Sequence, residues 1–190
     1  MGPANHSQET TWAVAGRACT SRDRVGIARS EGRAGTRDPL PGGRVGLRGL
    51  GVRGFLLDTN VVSEVVRPAP DLQVVAFMNS GLDLWLSAIV IHELDFGLEL
   101  MQPGRRRRQM GRYLSAIQTE HEGRLIAVGG REATHAARLR ARARRSGRTA
   151  TATDALIAGT AAVHDLVVAT RDVADFRALG VDVVSPWEPL

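Results

Sequence analysis

After Gly54, five short apolar runs alternate with helical stretches, and this alternation constrains the fold more than any other feature of the chain. The runs are Phe55 to Asp58, Leu84 to Ser87, Leu125 to Val128, Leu166 to Thr170 and Val181 to Val184. Apolar segments of strand length separated by helices predict an α/β domain on a mostly parallel sheet. The first run ends in Asp58-Thr59-Asn60. A strand buried on both faces delivers polar groups to the edge of its sheet in this way.

Three more acids stand at comparable places, Glu93 inside an apolar helix and Asp154 and Asp172 at element starts. Four carboxylates aimed at one point indicate a divalent metal. Each has a plainer explanation. Glu93 shares a helix face with Ile89, Gly97 and Met101, beside Val90, Leu94 and Leu98. It is therefore expected to point inward, where a carboxylate is costly unless paired or metal-bound. An arginine or a backbone amide would satisfy it equally well, and Gly97 is expected to let another backbone come close. Thr153-Asp154 opens a helix running to His164, so Asp154 also suits a cap or a favourable charge at a helix N-terminus.

Other chemistries lack their signatures. There is no lysine, hence no Gly-Lys-Ser or Gly-Lys-Thr phosphate loop, and no Gly-x-Ser-x-Gly elbow. His6, His92, His121, His135 and His164 have no zinc spacing and read as surface or loop residues. Oxygen ligands suit Mg²⁺ or Mn²⁺, which keep several waters and take one to three carboxylates plus substrate phosphate. Such a site would polarise a phosphoryl oxygen, activate a water and stabilise a leaving alkoxide, the chemistry of a phosphodiesterase. A phosphatase of the haloacid-dehalogenase type would need a second Asp two residues after the first, where this chain has Asn60.

The pI near 11 invites a nucleic-acid reading, but the charge is unevenly placed. Residues 1–53 hold nine arginines against Glu9, Asp23, Glu31 and Asp38, whereas residues 54–190 hold sixteen arginines and sixteen acids. Residues 1–53, rich in Arg and Gly and without helical or strand period, read as a disordered extension. Translation from an upstream start codon accounts for it, since a GTG start would place Val52 two residues before the first strand; a basic arm binding nucleic acid is the alternative. Within residues 54–190, Arg105 to Arg108 and the Arg138 to Arg148 group could hold a polyanion or be solvated helix faces. The single cysteine, Cys19, leaves no internal disulfide, and no apolar stretch reaches the ~20 residues of a membrane span, so a cytoplasmic location is expected. With 4% aromatic residues, the core must be built from Leu, Val, Ile and Ala.

Leu56 to Glu64, Leu86 to Ile89, Glu93 to Gly97, Asp154 to Ala158 and Ala169 to Phe176 resemble, in order and spacing, the motifs of the PIN domain, and within it the VapC-type toxins of bacterial toxin-antitoxin operons. The resemblance covers residues 54–189, including Pro186-Trp187. It implies a three-layer α/β/α sandwich with a central sheet of about five strands, and a magnesium-dependent endoribonuclease (Mn²⁺ being a second candidate ion) silenced by a cognate antitoxin. It also implies a homodimer, through helices near Arg67 to Ser80 and Leu98 to Tyr113. Asp58, Glu93, Asp154 and Asp172 match the family's catalytic and metal-binding acids, Asp58 and Asp154 most securely. Thr59, Asn60 and Thr170 match neighbours that orient carboxylates or waters. Some relatives carry Asn at the position of Asp172 and an acid three residues later, which makes Asp175 a rival fourth ligand. A catalytically silent PIN-like module that binds RNA or a partner protein is the competing expectation.

Overall fold

In a computed structural model the described residues are 53–189, and they build five strands and seven α-helices. The expected extension at residues 1–53 lies, except for Arg53, outside them. The strands are β1 (Gly54–Leu57), β2 (Leu84–Ser87), β3 (Leu125–Ile126), β4 (Leu166–Ala169) and β5 (Val183–Val184). All pairings are parallel, in the order β3-β2-β1-β4-β5, with Phe55 beside Leu84 on one side and Val167 on the other. The outer strands are shorter than their apolar runs, β3 stopping before Ala127-Val128 and β5 starting only at Val183, although the Asp182 carbonyl oxygen still accepts from Val168 N at 2.9 Å.

The helices are α1 (Thr59–Glu64), α2 (Leu72–Met78), α3 (Ala88–Leu100), α4 (Arg105–Glu120), α5 (Gly130–Arg145), α6 (Ala152–Val163) and α7 (Val173–Leu179). Helix α3 packs against α1 and α4, and α5 against α6 and α7, as expected of helix layers on the sheet faces, while α3 also touches α6. The core is aliphatic, with Leu56, Leu57, Leu86, Ile157 and Val168 fully buried, and Phe55 packs edge-on against Phe77 with ring centroids 5.4 Å apart.

Two glycines fix the layers. Gly54 opens β1 at φ +155, and a Cβ there would lie 2.3 Å from the Asp83 carbonyl oxygen. Gly159 of α6 lets α5 approach so closely that a Cβ would sit 2.6 Å from Ala136 N and 2.7 Å from Glu132 O. Gly97, where a close approach was expected, is exposed and has nothing within 4 Å. The tight crossing lies between α5 and α6. His121 also departs from expectation: it is buried, its Nδ1 2.9 Å from the Ile117 carbonyl oxygen.

Candidate active site

In this strand order the chain direction across the sheet reverses between β1 and β4, and open parallel sheets bind ligands beyond the carboxyl ends of strands at such a switch point. Asp58 follows β1; Thr170 and Asp172 follow β4. Asp58 caps α1 and is buried, with Oδ1 accepting from Thr59 N at 2.7 Å and Oδ2 from the Thr170 hydroxyl at 2.6 Å. Burial pushes its carboxyl up to about 6 against these two hydrogen bonds, and the nearby charges of Asp154 and Asp172 push the same way.

The neighbours form one network. Asn60 Nδ2 donates to the Thr170 hydroxyl and to Asp172 Oδ2, each at 3.1 Å, while Asn60 Oδ1 accepts from Arg171 N at 3.2 Å. Asp172 N donates to the Thr170 hydroxyl at 3.0 Å, so that one hydroxyl serves three partners. The Thr59 hydroxyl donates to Glu93 Oε2. Glu93 is thus held at the flank of the buried Val90-Leu94 stripe by a hydroxyl, not by an arginine or a backbone amide. Ser87 caps α3 through Val90 N at 3.3 Å, which sets the helix that carries Glu93.

Asp154 does serve its helix. Thr151 and Asp154 make a reciprocal capping box, with Asp154 N donating to Thr151 Oγ1 at 3.0 Å and Thr151 Oγ1 to Asp154 Oδ2 at 2.6 Å. The cap fixes the carboxylate's direction while leaving Oδ1 free of hydrogen bonds among the described residues. Capping and a place at the site are therefore compatible. Asp175 lies in the first turn of α7 and joins no side-chain hydrogen bond of this network, whereas Asp172 does.

The four acids share one rim but do not meet at one point: among the described residues no three Asp, Glu, His or Cys side chains are close enough to hold a single metal ion. The donor chemistry nevertheless fits a hard divalent cation. The donors are carboxylates, and Mg²⁺ is ordinarily held by one or two of them, with waters filling the other positions.

Glu64 had been assigned no role by the sequence pattern. It is buried, and its Oε2 takes Arg171 at 2.5 Å and Arg67 at 3.0 Å, while Oε1 accepts from Asp71 N at 3.2 Å. The Arg171 guanidinium also lies 4.3 Å from the Trp187 ring centroid. Arg171 stands between Thr170 and Asp172, so this arrangement pins the turn that carries two residues of the network.

A PIN domain model matches residues 55–181, most of the described chain. The chain belongs to the PIN domain family. The VapC ribonuclease Y4jK of Sinorhizobium fredii is 40% identical over 142 residues, covering 71% of this chain and 99% of the relative. Toxin FitB of Neisseria gonorrhoeae is 39% identical over 136 residues, covering 70% of this chain and 98% of the relative. The crystal structure of FitAcB from Neisseria gonorrhoeae superposes on this PIN domain with a TM-score of 0.68 at 38% identity, covering 71% of this chain and 99% of that one. The mostly parallel sheet of about five strands expected of a PIN-like α/β/α sandwich is observed as five strands, all parallel.

Proposed function

We propose that this PIN domain is the toxin of a toxin-antitoxin pair and hydrolyses RNA phosphodiester bonds as a metal-dependent endoribonuclease. The observation that carries the reading is Asp58, a buried carboxylate held at both oxygens beside Asp154 and Asp172, at the switch point of a sheet that belongs to this family. A domain without chemistry gains nothing from a carboxylate whose charge is penalised by burial. The names of the relatives, a ribonuclease and a toxin, supply the substrate class and the biological role.

Asp58 and Asp154 would hold Mg²⁺, or Mn²⁺, with Glu93 and Asp172 completing the shell directly or through water. Such an ion, when bound, supplies a polarised phosphoryl oxygen and a water of lowered pKa. The chain's own residues do the positioning. Thr170 and the Thr59 amide fix the two Asp58 oxygens, Asn60 holds Asp172, the Thr59 hydroxyl holds Glu93, and the capping box aims Asp154. Asp172 takes the fourth place over Asp175 because Asn60 ties it to Thr170. Hydrolysis by an activated water leaves 5′-phosphate and 3′-hydroxyl ends.

A cognate antitoxin and a second copy of the chain are the protein partners in this reading. Leu72 (80% exposed) lies in the first helix region expected for a dimer and Leu100 (69%) in the second. Inducible expression with and without the neighbouring gene product, followed by mapping of 5′ RNA ends, tests the proposal. The expected result is growth arrest with new 5′-phosphate ends, both suppressed by the neighbour. Growth arrest without new RNA ends would overturn it.

A further inference from the structure

Helix α5 carries a basic stripe that the catalytic network does not use. Arg131, His135, Arg138, Arg142 and Arg145 recur at alternating spacings of four and three, so they line one flank of the helix beside its buried face of Glu132, Ala136, Leu139 and Ala143. The stripe spans about 21 Å at the rise of an α-helix. From Ala133 to Thr153 there is no acidic residue, and Glu132 is buried and engaged with Gly129 N at 2.9 Å and His164 Nε2 at 3.1 Å. No side-chain hydrogen bond or ion pair joins Arg131, Arg138 or Arg145 to another described residue. In the other arginine cluster Arg107 is committed to Glu99 at 2.6 Å, whereas Arg105, Arg106 and Arg108 are also without an ion pair among the described residues.

The stripe is placed with respect to the active site. The Glu132–His164 pair joins the start of α5 to the end of α6, so the two helices run antiparallel, and the α5 C-terminus shares the sheet edge where Asp154 stands. Arg140 Nε bonds the Ala150 carbonyl oxygen at 3.1 Å, which braces the turn between them. Arg142 lies against Gly180, at the end of the helix that Asp172 begins, so this part of the stripe is on the α7 side of α5. At the far end, Arg131, His135 and Arg138 line an open depression of about 460 Å³ with Ala162 and Val163.

We infer that this flank of α5 is a backbone-binding track for single-stranded RNA, leading from the catalytic rim to the depression. The inference rests on the ribonuclease reading given above. An uncompensated cationic row of this length matches several successive phosphates of an extended strand, and no aromatic residue lies along it, so it would grip phosphates without reading bases.

The test uses the full chain with Arg131, Arg138 and Arg145 all changed to Ala, and as control a chain with Arg105, Arg106 and Arg108 changed to Ala. Binding of a 5′-labelled 20-nucleotide RNA is measured in EDTA across a salt series, and cleavage is measured on the same RNA and on a tetranucleotide spanning the cut. The stripe variant should bind the long RNA at least tenfold more weakly and lower the salt slope by about 2, at about 0.7 per phosphate contact. Its cleavage of the tetranucleotide should be unchanged, and the control should bind more nearly as the wild type does. Equal affinity and slope in wild type and stripe variant would overturn the inference, as would an equal loss in the control. Loss of binding to poly-glutamate with RNA affinity intact would also overturn it, assigning the stripe to an acidic protein partner. If the wild-type protein binds the long RNA through the stripe but cleaves neither RNA with Mg²⁺ or Mn²⁺ present, the inference stands and the nuclease reading fails.

Discussion

Asp58 is placed where its charge is least welcome. Its carboxyl is raised from 3.8 to about 6 by burial, with further pressure from Asp154 and Asp172. In metal-free protein the native state therefore holds a proton that the unfolded chain releases near pH 4. Stability should fall as pH rises from about 4 to about 6, by about 3 kcal/mol from this group. Asp58→Asn should remove that fall and raise the melting temperature of the metal-free protein at pH 7, while abolishing cleavage; thermal unfolding in EDTA at pH 4.5 and pH 7 checks it. A wild-type protein no less stable at pH 7 than the variant would refute the assigned burial cost. Asp58-Thr59-Asn60 was legible because an apolar run ends there in polar residues. The partners were not. Thr59 meets Glu93 across 34 positions and Arg171 meets Glu64 across 107, and no local period reports such pairings. Glu64 reads locally as a polar residue at the end of a short helix, and its burial follows only from the turn that brings Arg171 over it.

At the scale of elements, the glycines of α3 and α6 show what periodicity cannot say. Both stand in apolar helices, yet Gly97 faces open space and Gly159 faces the α5 backbone. Gly97→Ala should stabilise the protein by about 0.5–1 kcal/mol, the helix-propensity gain at an exposed site. Gly159→Ala should destabilise it by at least 1–3 kcal/mol, because an added methyl at 2.6 Å from Ala136 N must push two helices apart. Urea unfolding of the two variants distinguishes the cases, and similar midpoints would contradict the helix packing described. The helix carrying Glu93 and a capping role for Asp154 were legible from local residues, although the N-cap is Thr151, two residues before the expected start. The expected strand length at β3 was too long because its apolar run continues past Ser87, where β2 ends, and β5 begins two residues later than its run.

For the whole molecule, alternating apolar runs and helices sufficed for an α/β domain on a mostly parallel sheet, and the observed strand order then put the acids at the switch point. The net charge of +5 was a poor guide to the surface, because it belongs to residues 1–53. The remaining charges balance in number but not in place, with carboxylates on the rim and uncompensated arginines along α5. No described helix is long and apolar enough to cross a membrane. The central claim, that this rim of carboxylates cuts RNA, is tested most directly with purified protein and a 5′-labelled RNA, with Mg²⁺ or EDTA, for wild type, Asp58→Asn and Asp154→Asn. Cleavage to labelled products ending in a 3′-hydroxyl by the wild type with Mg²⁺ alone, and by neither variant although both fold, is the predicted result. Undiminished cleavage by Asp58→Asn, or by the wild type in EDTA, would contradict it.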